Sequence, residues 1–595
     1  MVGIVADAGI GGRRLRLALV DLATTPTTLD DLIREHALPR RTVEHLLRAA
    51  GPDLHTARNG TLRLPGAYRT RFTAPLRPAV DPAGGNAASP TTAGQPLSLP
   101  GVVRPASPPS PTPPLLPPPS ATGNQENPEY PAEPSAGPGT GATTPTGKPG
   151  WTGQPSRAGD PGRAGEGWAG ESGRAGEPGW ASGSGEPGWP GPSGISDADL
   201  IADLTRLIAD VPTDRALDHV SATAQTAAKR ARWLDETYDL AGAHLVCVGD
   251  HDLTSLAVLA VRSDVRVTVV DVDERLLEFI AARAAQRGHA VECWHADLRF
   301  GLPPVVAESA DLVFTDPPYT PEGVQLFLGR GAQALRDRVN GRLVMAYGFS
   351  PLTPALGVKV QRAVLDLDLA VETILPSFNR YHGAQAVGSA SDLYVCRPTA
   401  RTWQVLEKRL SGAAVNMYTH GEHSLEGEAV GRGPAELLAA PLRSVPDQID
   451  LTGDPGPWLL RVLLALNTSS LSLQLPNKSP DLIDAKSQAA LRTVVASKYT
   501  LRYRRSTPSP KLAIVEATAV PDGSRTAVGW LLQHAHGKLG NVLREGLVRQ
   551  YGMTKNEARA KVAELIRPSW ADARLLDLPR HEIAELVETL TLPES

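Results

Sequence analysis

"HLVCVGDHDLTSLAVLAVRSDVRVTVVDVDERLLEFIAARAAQRG", residues 244–288, decides the fold. Its apolar opening, 244–249, reads as a strand, and "LTSLAVLAVRS" after it as a helix. "RVTVVD" (266–271) is a second strand and "ERLLEFIAARAAQRG" a second helix. Strands this apolar are buried on both faces, as in a parallel sheet with helices on either side. Outward from this unit the pattern repeats. "AVECWHAD" (290–297) and "ADLVFTD" (310–316) read as strands three and four, "GRLVMAYG" (341–348) as the fifth and "SDLYVCRP" (391–398) as a late one. The expected fold is a doubly wound α/β sheet.

Acidic residues end these strands. Gly249-Asp250-His251-Asp252 follows the first, and Asp271 follows 21 residues after Asp250. That spacing suits a carboxylate holding ribose hydroxyls in a nucleotide fold. Asp297 ends the third strand, placed for an adenine amino group, and Asp316 ends the fourth in "VFTDPPYTPEG" (313–323). Pro317 and Pro318 cannot donate to a sheet ladder, so they stop the strand. Asp316, rigid carbonyls and the Tyr319 ring are then left to grip an amino group and stack on whatever carries it. A single acid at a strand end is often only a helix cap, and Asp273 is read as one. Four at successive ends point to a nucleoside-type co-substrate. The first loop lacks GxGxxG, which disfavours a pyrophosphate site, whereas a class I methyltransferase-like (Rossmann-like) sheet tolerates such a loop. Its acidity opposes the carboxylate of a methionine tail and welcomes a bare ammonium. Decarboxylated S-adenosylmethionine fits that condition. Cys247, Cys293 and Cys396 are far apart and form no CxxC pair, so no metal is expected.

The remaining sequence divides by composition. Residues 1–77 carry two short helical patterns in "TTLDDLIREHALPRRTVEHLLRAAG", with Thr28 as a cap, then a hairpin around Asn59-Gly60. This is a winged-helix pattern. Residues 1–75 hold eleven arginines against seven acidic residues. DNA binding and a docking or homodimer role are both open, and the modest charge favours the second. Residues 78–193 are crowded with Pro, Gly, Ser and Thr, including "SPPSPTPPLLPPPS" and repeats ending in Trp168, Trp180 and Trp189. Such a tract cannot offset its chain entropy and is expected to be a disordered linker. A helical lead-in capped by Ser196 opens the Rossmann-like domain, 194–430. Residues 431–595 form a C-terminal α+β extension with no recognisable chemistry, in which "KYTLRYRR" (498–505) reads as a charged edge strand. The net charge of −4 and the pI near 6.4 do not suggest a general nucleic-acid binder. No run approaches the ~20 apolar residues that span a bilayer, so no membrane role and a cytoplasmic location are expected.

"VGDHDLTSLAV", "VVDVDERLLEFI", "FTDPPYTPEG" and "GSASDLYVCRP" together resemble the branched-chain polyamine synthases, that is, N4-bis(aminopropyl)spermidine synthases. The likeness covers roughly 200–430, including "RWLDETYDLAG" and "MYTHGEHSLEG". It implies transfer of an aminopropyl group from decarboxylated S-adenosylmethionine to an amine of a polyamine such as spermidine, releasing methylthioadenosine. It also implies an N-terminal winged helix. Catalytic roles fall on Asp250, His251, Asp252, Asp316 and Tyr319, and co-substrate contacts on Gly249, Asp271, Asp297, Pro317 and Pro318. The family loop usually reads Gly-Asp-Asp-Asp, and here His251 stands at the middle position. An N-methyltransferase using intact S-adenosylmethionine and a catalytically silent winged-helix regulator remain as alternatives.

Overall fold

A computed structural model describes residues 1–73, 194–384, 388–410, 417–419, 433–453 and 456–591. The expected linker, 78–193, lies outside them. Seven strands form the main sheet: β1 (His244–Val248), β2 (Arg266–Asp271), β3 (Val291–His295), β4 (Leu312–Thr315), β5 (Arg342–Tyr347), β6 (Leu369–Arg380) and β7 (Ala390–Pro398). Their order is β3-β2-β1-β4-β5-β7-β6. The first five run parallel, with Leu245 opposite Val267 on one side and Leu312 on the other. All five residues of β1 are buried, as its unbroken apolar sequence requires.

The expectation of a wholly parallel sheet is corrected at one end. There β7 runs antiparallel between β5 and β6. Sequence reasoning missed β6 altogether. Most of its residues are exposed on both faces, and two irregularities, at Val371/Thr373 and Leu375/Asn379, break the two-residue period that would reveal it.

After β1 the chain winds out through β2 to β3, then returns to β4 on the other side of β1. This reversal opens a crevice at the carboxyl ends of β1 and β4, where such sheets hold ligands. Helices Thr254–Val261, Glu274–Gln286 and Pro321–Ala334 connect these strands. The lead-in helix Asp197–Asp210 is capped by the Ser196 hydroxyl, which accepts from the Asp199 amide.

The N-terminal residues form helices Arg13–Thr24, Leu29–His36 and Arg40–Ala50, then a hairpin of His55–Thr56 with Leu62–Arg63. Thr28 caps the second helix, and Gly60 takes the positive φ, 81°, that the hairpin turn needs. This module packs on the sheet domain through its first helices. Ile10 joins the core around β1, Arg16 pairs with buried Asp239 at 2.8 Å, and Asn340 Nδ2 donates to the Asp7 carbonyl at 3.0 Å.

Beyond 432 a second sheet forms from β8 (Gln448–Asp450), β9 (Ser470–Pro476), β10 (Tyr499–Arg505) and β11 (Leu512–Ala519), in the order β8-β9-β11-β10. β10 is the expected edge strand, with Arg504 paired to Glu516 at 2.7 Å. Lys498 is not part of that charged edge. It is buried, and its ammonium donates to the Leu464 and Leu532 carbonyls. Burial pushes its pKa well down. "LVRQYGMTKNEARAKVAELI" is two helices, Leu539–Tyr551 and Lys555–Leu565, parted by Gly552 at φ 65°. The extension shares one apolar core with the main sheet: Trp458 of helix Trp458–Ala465 meets the Phe300 ring at 5.2 Å between centroids.

Candidate active site

The crevice holds a cavity of about 540 Å³, lined among others by Gly249, Asp271, Asp297, Asp316, Pro318 and Tyr319. Every residue singled out from the sequence lines it: Asp250, His251, Asp252 and Pro317 as well. Gly249 leaves β1 at φ 70°. A Cβ there would sit 3.1 Å from the Phe327 ring and 4.0 Å from Asp271 Oδ2, so the missing side chain keeps the floor open beside that carboxylate.

The acids are not equivalent. Asp271 Oδ1 accepts from the Asp273 amide at 2.9 Å. Burial, with the Asp273 charge adding to it, pushes the Asp271 carboxyl up to about 7. Asp273 does cap the next helix, accepting from the Arg275 amide, and pairs with the Arg275 guanidinium at 2.7 Å. Asp250 turns to the start of helix Thr254–Val261, accepting from the Ser255 amide at 3.1 Å, and burial lifts it to about 7. Asp297 is held by Arg299, whose guanidinium meets it at 2.6 Å.

Asp252 and Asp316 belong to one buried network whose centre the sequence reading missed. Arg230, from helix Ala224–Thr237, is fully buried. Its guanidinium donates to Asp252 at 2.7 Å, to Asp316 Oδ2 at 2.7 Å, to Asn379 at 2.8 Å and to the Tyr381 hydroxyl at 3.2 Å. Asp252 also accepts from the Ala222 amide at 2.6 Å. Tyr381 donates to the same Asp316 Oδ2 at 2.8 Å, and Tyr319 donates to Tyr381 at 2.8 Å. Burial drives Asp316 up to about 7 against the pull of Arg230, and neighbouring Asp252 adds to the rise. Asp252 itself lies below the usual carboxylate range despite its burial, because Arg230 faces it. One cation thus serves two carboxylates: Asp252 is ionised, and Asp316, at about 7, exchanges between its charged and neutral forms near neutral pH. A signal for Arg230 did exist: it lies between Ala227, Ala231 and Leu234 on the buried face of its helix, where an unpaired arginine would be very costly.

His251 stacks on His219, ring centroids 4.2 Å apart and 22° between planes. Burial lowers its pKa. His219 Nδ1 accepts from the Asp214 amide at 3.2 Å, and burial with the His251 neighbour pushes it down to about 4. Both rings are therefore neutral near pH 7. Tyr418 also lines the cavity, carried by a segment tied in by Thr320, whose hydroxyl donates to the Met417 carbonyl at 2.6 Å. The sequence reading quoted that segment without assigning it a role.

The two acids of "VVDVD" separate by position, and this gives an expected result. On the nucleoside-site expectation from the sequence, Asp271→Ala should weaken binding of methylthioadenosine as a nucleoside probe roughly 10-fold or more, the loss of a charge-assisted hydrogen bond. Asp273→Ala, which removes a cap and a partly exposed pair, should leave that affinity nearly unchanged. Calorimetry on both variants decides, and equal effects refute the assignment.

Residues 199–410 match the family described as the branched-chain polyamine synthase A C-terminal domain. Over 178 residues the chain is 34% identical to an uncharacterized protein of Methanocaldococcus jannaschii, covering 30% of this chain and 44% of that one. It is 28% identical over 194 residues to the N(4)-bis(aminopropyl)spermidine synthase of Thermococcus kodakarensis, covering 31% and 54%. A crystal structure of the Thermus thermophilus branched-chain polyamine synthase with N4-aminopropylspermidine and 5'-methylthioadenosine is 23% identical, covers 34% of this chain and 63% of its own, and has a TM-score of 0.29. The family resemblance read from the sequence therefore holds over 199–410. The chain spans about half the length of the first two curated relatives, 44% and 54%.

Proposed function

We propose that this chain is an aminopropyltransferase that uses decarboxylated S-adenosylmethionine and a polyamine, with methylthioadenosine as the by-product. The observation that carries this reading is the convergence of Asp250, Asp271, Asp297 and Asp316 on one cavity whose first loop presents carboxylates and no phosphate cradle. The open floor at Gly249 beside Asp271 suits a ribose there, and Asp297 suits the adenine amino group. Such a co-substrate supplies an electrophilic CH2 beside a sulfonium. The acceptor nitrogen forms a bond to that carbon while the C–S bond breaks, and sulfur keeps the electron pair.

The protein's part is to orient the acceptor and take its proton. Both donors on Asp316, Arg230 and Tyr381, meet Oδ2. The Asp316 carboxyl also shares a hydrogen bond with the Asp252 carboxyl, and among the described residues no further N–H meets it, so it can accept from an incoming amine. With its pKa raised to about 7, Asp316 is matched to accepting a proton near neutrality. Tyr319, packed edge-on to Tyr347 at 5.3 Å, offers its ring to the propyl chain or the adenine. Neutral His251 adds an uncharged acceptor nitrogen where the resembled family carries a carboxylate.

The test is incubation with labelled decarboxylated or intact S-adenosylmethionine and a panel of linear polyamines, with products read by mass spectrometry. Added aminopropyl groups are expected with the decarboxylated donor only. Methylated products, or no turnover with any acceptor, overturn the reading. In the same assay His251→Asp, which returns a carboxylate to the loop, should raise kcat/KM for spermidine about 10-fold, the value of one charge-assisted contact. An unchanged kcat/KM would place His251 outside the acceptor site.

A further inference from the structure

The N-terminal module has one face committed and another free. Its contacts with the sheet domain come from Asp7, Ile10 and Arg16, on or before its first long helix. Among the described residues no hydrogen bond or ion pair joins helix Arg40–Ala50 or the hairpin after it to the sheet domain. On that helix Val43, Leu46, Leu47 and Ala50 face the module's own core. The opposite stripe is Arg41, His45 and Arg48, at helical spacing and all exposed. The hairpin that follows exposes Arg58 at its turn and Arg63 on its second strand. Arg40 is spoken for by Asp30 and Glu44. The other four arginines have no acidic partner among the described residues.

We propose that this face binds double-stranded DNA, with the exposed stripe of helix Arg40–Ala50 in the major groove and the hairpin arginines on flanking phosphates. A duplex major groove about 12 Å wide admits one helix, and a short helix pair ahead of it is the usual frame for presenting it. Charge selects this occupant over a second copy of the chain. A two-fold contact would set the same arginines against each other, whereas phosphates meet all four. The whole protein's charge of −4 does not oppose this, because residues 1–75 alone hold eleven arginines against seven acidic residues, and the one acid of the helix, Glu44, is paired with Arg40. Arg41, Arg48, Arg58 and Arg63 carry no base-specific pattern, so binding is to the backbone and largely independent of sequence. The inference does not depend on the chemistry proposed for the cavity.

The experiment is fluorescence anisotropy of the full chain with a labelled duplex of about 24 bp of random sequence, from about 50 to about 200 mM salt. Binding with a dissociation constant in the range of about 10⁻⁴–10⁻⁶ M is expected, weakening steeply with salt. The fourfold variant R41A/R48A/R58A/R63A should bind at least 10-fold more weakly at the lowest salt and flatten the salt slope by about 3–4, near one per lost phosphate contact. Arg525→Ala, which removes an exposed charge from the C-terminal extension, should change neither. The melting profile of the fourfold variant is measured alongside, and if it differs from the parent the paired variants R41Q/R48Q and R58Q/R63Q are used, each flattening the slope by about 2. No anisotropy change at the lowest salt, an unaltered slope in the folded variants, or tighter binding of single-stranded RNA of the same length overturns the proposal.

Discussion

Arg230→Met should be among the most damaging single changes to the described residues. The guanidinium is fully buried between two carboxylates, each 2.7 Å away. Methionine fills much of its volume but leaves Asp252 and Asp316 facing each other without a cation. Breaking a buried pair in this way costs about 3–5 kcal/mol of stability, and urea unfolding would read it directly. The deficit should depend on pH with a definite sign. Without the cation both carboxyls titrate above their unfolded value, so protonation restores stability at low pH and the loss grows as pH rises through their folded values. The deficit is thus expected to be larger at pH about 8 than at about 5.5. R230M/D252N, which removes one uncompensated charge, should recover part of it. Single-turnover rates of the Met variant should fall by more than about 10³, because Asp316 loses both its orientation and its charge balance. A variant as stable and active as the parent would mean that the network is surface-like in solution.

Asp316→Asn is the second large effect, and it isolates chemistry from folding. The amide oxygen can still accept from Arg230 and Tyr381 in place of Oδ2. What vanishes is the negative charge and the site for a proton. In the aminopropyl transfer proposed above, the acceptor amine becomes cationic as it attacks, so the lost charge matters most near the transition state. A fall of about 10²–10³ in kcat is expected, with methylthioadenosine affinity little changed. Turnover and nucleoside binding should be measured on one preparation. Unchanged turnover, or a collapse of nucleoside binding with it, would make "DPPY" a strand-ending turn or a nucleoside contact.

The sheet was legible because its central strands are apolar without interruption and their ends are marked by acids. β1 to β5 could be placed within a residue or two for that reason. β6 was not, since an exposed, bulged strand has neither run nor alternation. The cavity's acids were legible as strand-end carboxylates. Their partners were not, because Arg230, Tyr381 and His219 come from a helix, a late strand end and a turn, and only the fold brings them together. Lys498 misled for a related reason. In sequence it continues a row of basic edge residues, yet its ammonium is turned inward onto two carbonyls. Pattern gives the side of a strand; it does not give what waits there.

Glu274 follows Asp271 by three residues and opens helix Glu274–Gln286. Its Oε1 takes the Arg461 guanidinium at 2.5 Å and its Oε2 the Arg580 amide at 2.7 Å. Both partners lie beyond residue 410, where the family match stops. The boundary of the family match and the boundary of the folding unit therefore differ. A fragment trimmed to the recognisable domain would keep all the cavity acids but strip the clamp from the helix that follows Asp271, and would bare the apolar surface that Trp458 covers. The long extension thus braces the helix that follows Asp271, at one end of the cavity.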